Sequence, residues 1–283
     1  TNEGFTLPPA NSTTPTTTTP PHWLYLPPHV TQGNHAPSHR HIHQMPDRAK
    51  HLHTSWPSSG RRHHDKRGED DLVTTFQSGV WSNLTHATGT RPILLLGINY
   101  ATGPSLKFPA TDWISRIFQG SHSVNAFYHL NSYGKVGFEP AKESCGAAND
   151  GIATVTVGSP VPVNNDFYGE YNVASSAAHS ASTCVDWASF DTNGDKYVDS
   201  SELELVFVFP ATEGALGCQG TSCKQVWAHA DDNGISVGGV ILIYAVYYAE
   251  LGDCSCSQLN SVGTLIHELG HTFGLPDLYD THN

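Results

Sequence analysis

Near the end of the 283-residue chain stands the run HELGHTFGLPD, residues 267–277. His267 and His271 are four apart, so on a helix they lie one above the other on a single face. Two imidazoles placed that way can both reach one Zn²⁺ at about 2.0–2.1 Å. Glu268 projects to the neighbouring side, where it is suited to take a proton from a metal-bound water rather than to ligate. Gly274 can adopt the left-handed conformation that ends a helix, and Pro276 forbids its resumption. The turn can then return Asp277 as a third ligand, leaving the fourth zinc position open as a catalytic site requires. Leu265, Ile266 and Leu269 are expected to pack the helix into the core, with Gly270 keeping one side slim beside the site. The bland alternative is a buried helix with two incidental histidines.

A second stretch, DTNGDKYVDSSE (191–202), fits a twelve-residue calcium loop. Asp191, Asn193 and Asp195 fall at positions 1, 3 and 5, and Tyr197 offers its carbonyl at 7. Asp199 falls at 9 and Glu202 at 12 as the bidentate ligand. Position 6, normally glycine, is Lys196, so the sharp turn is expected to cost backbone strain. The competing account is an Asx-rich turn closed by its own side chains.

Several elements must position these residues. The apolar run RPILLLGINY (91–100) predicts a buried strand. ATDWISRIF (110–118) and SVNAFYHLNSYG (123–134) carry helical spacing, the latter stopping at Gly134. KVGFEP and GIATVTVG predict strands, YNVASSAAHSASTCVDWASF (171–190) a helix, and ELELVFVF (202–209) and GGVILIYAVYYAEL (238–251) strands. The strand ending at Glu250 is a candidate for aligning an extended peptide as an added strand. Helices and strands alternate, which predicts an α/β fold with a mixed sheet.

Composition narrows the function. Residues 1–67 are rich in Pro, Thr, Ser and His, hold ten of the 18 histidines, and predict a disordered pro-segment or linker. They carry seven of the 14 Lys and Arg against Glu3, Asp47 and Asp65, a net charge of +4, which leaves −16 of the total −12 on the remainder. An acidic body disfavours nucleic acid as a partner and suits bound cations. The pair Lys66–Arg67, followed by GEDD, resembles a processing site that would leave a domain of residues 68–283. The longest apolar runs fall short of the roughly 20 residues that span a bilayer. Six cysteines, two sequons (Asn11 and Asn83) and the tract TTPTTTTPP predict a secreted, oxidised glycoprotein, with Cys218–Cys223 as one expected disulfide.

Four stretches together, HELGHTFGLPDLYD, FDTNGDKYVD before a strand, VWAHA before another, and LNSYGKVGF (130–138), resemble the immune inhibitor A family of secreted zinc metallopeptidases. The likeness runs from about Arg91 to the end and belongs to the broader metzincin-like class. It implies a metzincin-like mixed twisted sheet with an active-site helix, zinc on His267, His271 and Asp277, and Glu268 as general base. A calcium-stabilised domain made as a secreted precursor is implied as well. The sole methionine, Met45, lies far upstream, so the Met-turn of metzincin-type sites has no counterpart here. Further chain, or a second chain, is therefore expected to complete the cleft.

The leading functional expectation is a secreted zinc endopeptidase acting on protein or peptide substrates. The alternative is a non-catalytic extracellular structural or adhesive protein, self-assembling or not, built on the same fold. A simple calcium-binding module ranks third, because it gives Glu268 no role.

Overall fold

The computed structural model describes residues 88–162, 166–220, 222–275 and 277. The tail 1–67, the sequons, the Lys66–Arg67 pair and Pro276 lie outside the described residues. Four α-helices and eight strands are described: β1 (Gly89–Tyr100), α1 (Ala110–Phe118), α2 (Val124–Asn131), β2 (Val136–Pro140), β3 (Ile152–Val157), α3 (Phe167–Ala181), β4 (Tyr197–Val198), β5 (Glu204–Glu213), β6 (Gln225–Val226), β7 (His229–Val237), β8 (Val240–Leu251) and α4 (Val262–Thr272). The α/β expectation therefore holds, in a single mixed sheet that is parallel except for one strand.

Its main path runs β2-β1-β5-β8-β4, with β3 on β1, β6 on β5 and β7 on β8. All neighbours are parallel except β7, which pairs antiparallel with β8 from His229↔Tyr247 to Val237↔Val240. β8 therefore has β5 on one side and β7 on the other, and beyond β7 the Asn260 amide donates to the Glu250 carbonyl at 2.7 Å. An interior strand has no free ladder groups, so the expectation that the strand ending at Glu250 receives a peptide is overturned. Among the described strands β7 is the antiparallel edge.

The period-2 alternation of β1 sorts the core into two layers. Leu94, Leu96, Ile98 and Tyr100 face α3, whose Val173, Ala174, Ala177, Ala178 and Ala181 are buried against the sheet. Ile93 and Leu95 face the other side, with Trp113 and Ile117 of α1, Val124 and Tyr128 of α2, and Leu265, Leu269 and Phe273 from α4 and its cap. Small alanines let α3 lie close to the sheet. α3 starts earlier than its Ala-rich stretch suggests, because the Asp166 side chain caps it by accepting from the Gly169 amide at 3.0 Å.

The cysteines pair as Cys145–Cys184, Cys218–Cys254 and Cys223–Cys256. The expected Cys218–Cys223 bridge is thus wrong: both residues cross to a second loop, where positions 254 and 256, two apart, present two thiols to them. Their Cα separations of 5.4 and 6.4 Å lie inside the range a disulfide spans. None of the described helices is long and apolar enough to cross a membrane.

One polar group sits where the sequence pattern gave no warning. Glu170, in the first turn of α3, is wholly buried, and neither of its oxygens has a hydrogen-bond partner. Burial first, and then the charges of Asp166 and Glu213, push its carboxyl up to about 8. The folded protein therefore holds this proton through neutral pH while the unfolded chain releases it near the ordinary carboxyl value of 4.5. Because the folded state binds this proton more tightly than the unfolded chain, its contribution to stability is full below the unfolded value, declines as pH rises toward about 8, and is level above it. Glu170→Leu is expected to melt above wild type at pH near 8 and to lose that advantage toward pH 5, measured by thermal unfolding across the range. An equal offset at every pH would overturn the assignment.

Candidate metal centre

Helix α4 is set by its two ends. Ser261 caps the N-terminus, its hydroxyl accepting from the Gly263 amide at 3.1 Å, and Tyr248 donates its hydroxyl to the Ser261 carbonyl at 2.7 Å. Just before the cap, Asn260 donates its side-chain amide to Glu213 Oε2 at 3.1 Å and to the Ala249 carbonyl at 3.0 Å. Glu213 also accepts the Ala215 and Ala228 amides, each at 3.1 Å. This buried carboxylate ties the end of β5 and the start of β7 to the helix entry. Leu265 and Leu269 then anchor the helix to the sheet, with Ile266 partly buried beside them.

The C-terminus closes as the sequence leads one to expect. Gly274 takes φ of 79°, its amide donates to the His271 carbonyl at 2.8 Å, and the Leu275 amide donates to the Gly270 carbonyl at 3.1 Å. These are the two bonds of a Schellman cap. The cap turns the Leu275 carbonyl onto His271 Nδ1 at 2.8 Å. A carbonyl only accepts, so Nδ1 carries the proton and Nε2 presents its lone pair outward. Gly270 matters less than its place suggests. A Cβ there would meet Tyr128 Oη at 3.7 Å and Leu275 Cδ1 at 3.8 Å, both ordinary contacts.

Beyond the cap, Asp277 does return to the helix. Its Oδ1 lies 3.1 Å from His267 Nε2 and 3.4 Å from His271 Nε2. That oxygen is buried and accepts no hydrogen bond. The two imidazoles meet edge to face, with ring centres 4.8 Å apart. Donors placed about 2.0–2.1 Å from the centre of a tetrahedron stand about 3.3–3.4 Å from one another. The Asp277–imidazole separations lie close to that edge, and a set of two nitrogens and one carboxylate oxygen suits zinc. His267, Glu268 and His271 also offer atoms within 4.8 Å of one another.

Glu268 stands beside this set without joining it. Its Oε2 is 4.0 Å from His271 Nε2, and the side chain is 9% exposed, against 44% for His267. Burial chiefly, then the charges of Glu213 and Asp277, push its carboxyl up to about 8. A carboxyl of raised proton affinity at the rim of a cluster of lone pairs is equipped to accept and return protons. Underneath, Arg91 bonds Glu204 Oε1 at 2.6 Å and lays its guanidinium 4.0 Å from the centre of the Phe273 ring, so the residue following α4 rests on a buried ion pair.

The calcium-loop residues behave differently. Asp191 Oδ1 accepts the Gly194 and Asp195 amides and its Oδ2 the Lys196 amide. Asn193 accepts Asp195, Asp195 accepts Tyr197, and Asp199 accepts Ser201. Glu202 Oε1 reaches back to the Thr192 amide at 2.8 Å and the Asn193 amide at 3.2 Å, closing the loop. These oxygens serve the loop's own N–H groups. Among the described residues, the acids of this loop do not gather in threes close enough to share an ion, whereas His267, Glu268 and His271 of α4 do. The expected strain is present, since Lys196 has φ of 70°, while β4 (Tyr197–Val198) fastens the loop to Ile241–Leu242 of β8.

No protein-family model matches the chain, and no curated protein matches it either. Three residues of the site carry no local signal in the sequence: Asn260, just before the cap, and Glu213 and Tyr128, which reach the helix and its entry from distant segments.

A side chain at left-handed φ costs about 1–2 kcal/mol that glycine avoids. Lys196→Gly is expected to raise the melting temperature by a few degrees, and the gain should grow when calcium is added in millimolar amounts. Unchanged melting with and without the ion would show that the turn is neither strained nor a calcium loop.

Proposed function

We propose that this chain carries the catalytic domain of a secreted zinc-dependent endopeptidase of the immune inhibitor A-like, metzincin-like kind. The observation that carries the reading is the convergence of His267 Nε2 and His271 Nε2 on Asp277 Oδ1, a buried oxygen that accepts no hydrogen bond, with Glu268 alongside. His267, His271 and Asp277 would hold the zinc, which supplies Lewis acidity toward a peptide carbonyl and toward water. His271 is kept in its ligating tautomer by the Leu275 carbonyl.

Glu268 does the proton work. Its carboxylate takes a proton from the attacking water as the new C–O bond forms. It then returns that proton to the leaving nitrogen as the C–N bond breaks, giving a carboxylic acid and an amine, between which the last proton redistributes to carboxylate and ammonium. The surrounding burial, which raises its proton affinity, suits both halves of that exchange. An extended peptide would add to β7, the antiparallel edge strand whose start is tied through Glu213 to the helix entry. The three disulfides suit an oxidising compartment. Export, removal of the segment before Gly68 and calcium binding at 191–202 complete the proposal.

The test is casein hydrolysis by the full-length protein. Activity is expected to vanish with a zinc chelator, to return with added Zn²⁺, and to fall at least about 10²-fold in Glu268→Gln. Turnover that survives both the chelator and the substitution would overturn the reading. Stoichiometric zinc with no turnover would instead favour the non-catalytic structural or adhesive alternative.

A further inference from the structure

Resting on that metal-site reading, we propose that Tyr128 is a positioning residue for it: its hydroxyl fixes α4 at the turn that carries both imidazoles. Tyr128 lies in α2 (Val124–Asn131), 8% exposed, and its Oη donates to the Ile266 carbonyl at 2.7 Å across 138 residues of sequence. Ile266 immediately precedes His267. In an α-helix its carbonyl already accepts the amide four residues on, and its second lone pair takes the tyrosine.

This bond is out of the ordinary for a helix interior. The ends of α4 are held by the Ser261 cap and the Gly274 turn. Between them the two apolar anchors, Leu265 and Leu269, resist lifting from the sheet, but dispersion contacts are non-directional and resist rolling poorly. A hydrogen bond to a main-chain carbonyl is directional. It sets the helix azimuth, and with it the direction of both Nε2 lone pairs.

Tyr128 is itself rigid. Its ring meets Phe138 edge-on and Phe273 at a 31° tilt, both with centres 5.2 Å away. Phe273 in turn rests on Arg91. Burial keeps the phenol neutral and donating across the working pH range. A site whose donors must hold to within about 0.5 Å gains from a support of this kind.

The experiment compares zinc affinity by chelator competition in the full chain for wild type, Tyr128→Phe and Val173→Ala. Val173 is buried on the opposite face of the sheet and serves as a control for stability lost without touching α4. Tyr128→Phe keeps the ring packing and is expected to fold, with zinc Kd raised about 10-fold or more. Its cobalt-substituted form should show altered d–d bands. Val173→Ala should melt lower with Kd and bands unchanged. Equal Kd and identical spectra for Tyr128→Phe and wild type would overturn the positioning role while leaving the metal site standing. A wild type that binds neither ion would remove the metal-site reading and this inference with it.

Discussion

A single left-handed residue governs the site. Gly274 ends α4 in a cap whose two amides are consumed at once, which leaves the Leu275 carbonyl facing back along the helix. That carbonyl fixes the proton on His271 Nδ1, and the reversed chain delivers Asp277 to both imidazoles. Any other residue at 274 would have to bear the steric cost of that φ, and a helix running on would carry Asp277 away from the histidines. Local backbone conformation, tautomer and donor geometry are thus one constraint seen at three scales.

The sheet makes that constraint useful. Parallel strands bring several chain segments to one rim, and the buried carboxylates Glu213 and Glu250 stitch them there. Glu250 Oε1 accepts the Lys107 and Phe108 amides at 2.8 and 2.9 Å, fixing the approach to α1. Glu213 serves β7 and the α4 entry in the same way. Buried acids are costly unless their lone pairs are occupied: Glu213 accepts at both oxygens, and Glu250 accepts two main-chain amides at Oε1 while its Oε2 accepts none. Glu170, on the far face, has no such donors and remains a neutral acid instead.

What could be read from the sequence was what is local. The spacing of Trp113 and Ile117 gave α1 with its observed limits, and the apolar run of β1 gave a strand buried on both faces. The pattern from His267 to Asp277 was legible because a helix period and a glycine turn fix where those side chains go. β7 has no strand signal in the sequence, because HADDNGISV reads as a polar turn. Its Asp-Asp-Asn-Gly core is a bulge, between Asp232 and Ile235, within an edge strand that needs little apolar character. The interior place of β8, the cross-loop cysteine pairing and the reach of Tyr128 all depend on which strands become neighbours. No short window carries that information.

The paired loop disulfides differ in what each can contribute. Cys218–Cys254 and Cys223–Cys256 span 36 and 33 residues, but both join the same two loops. Whichever forms first removes most of the freedom of the unfolded chain, and the second then closes only a ring of roughly eight residues, a much smaller entropic gain. The second bridge therefore acts less as a stabiliser than as a brace against twisting. Where Cys223–Cys256 is that bridge, it pins the residue whose carbonyl accepts from Lys107 Nζ at 2.6 Å.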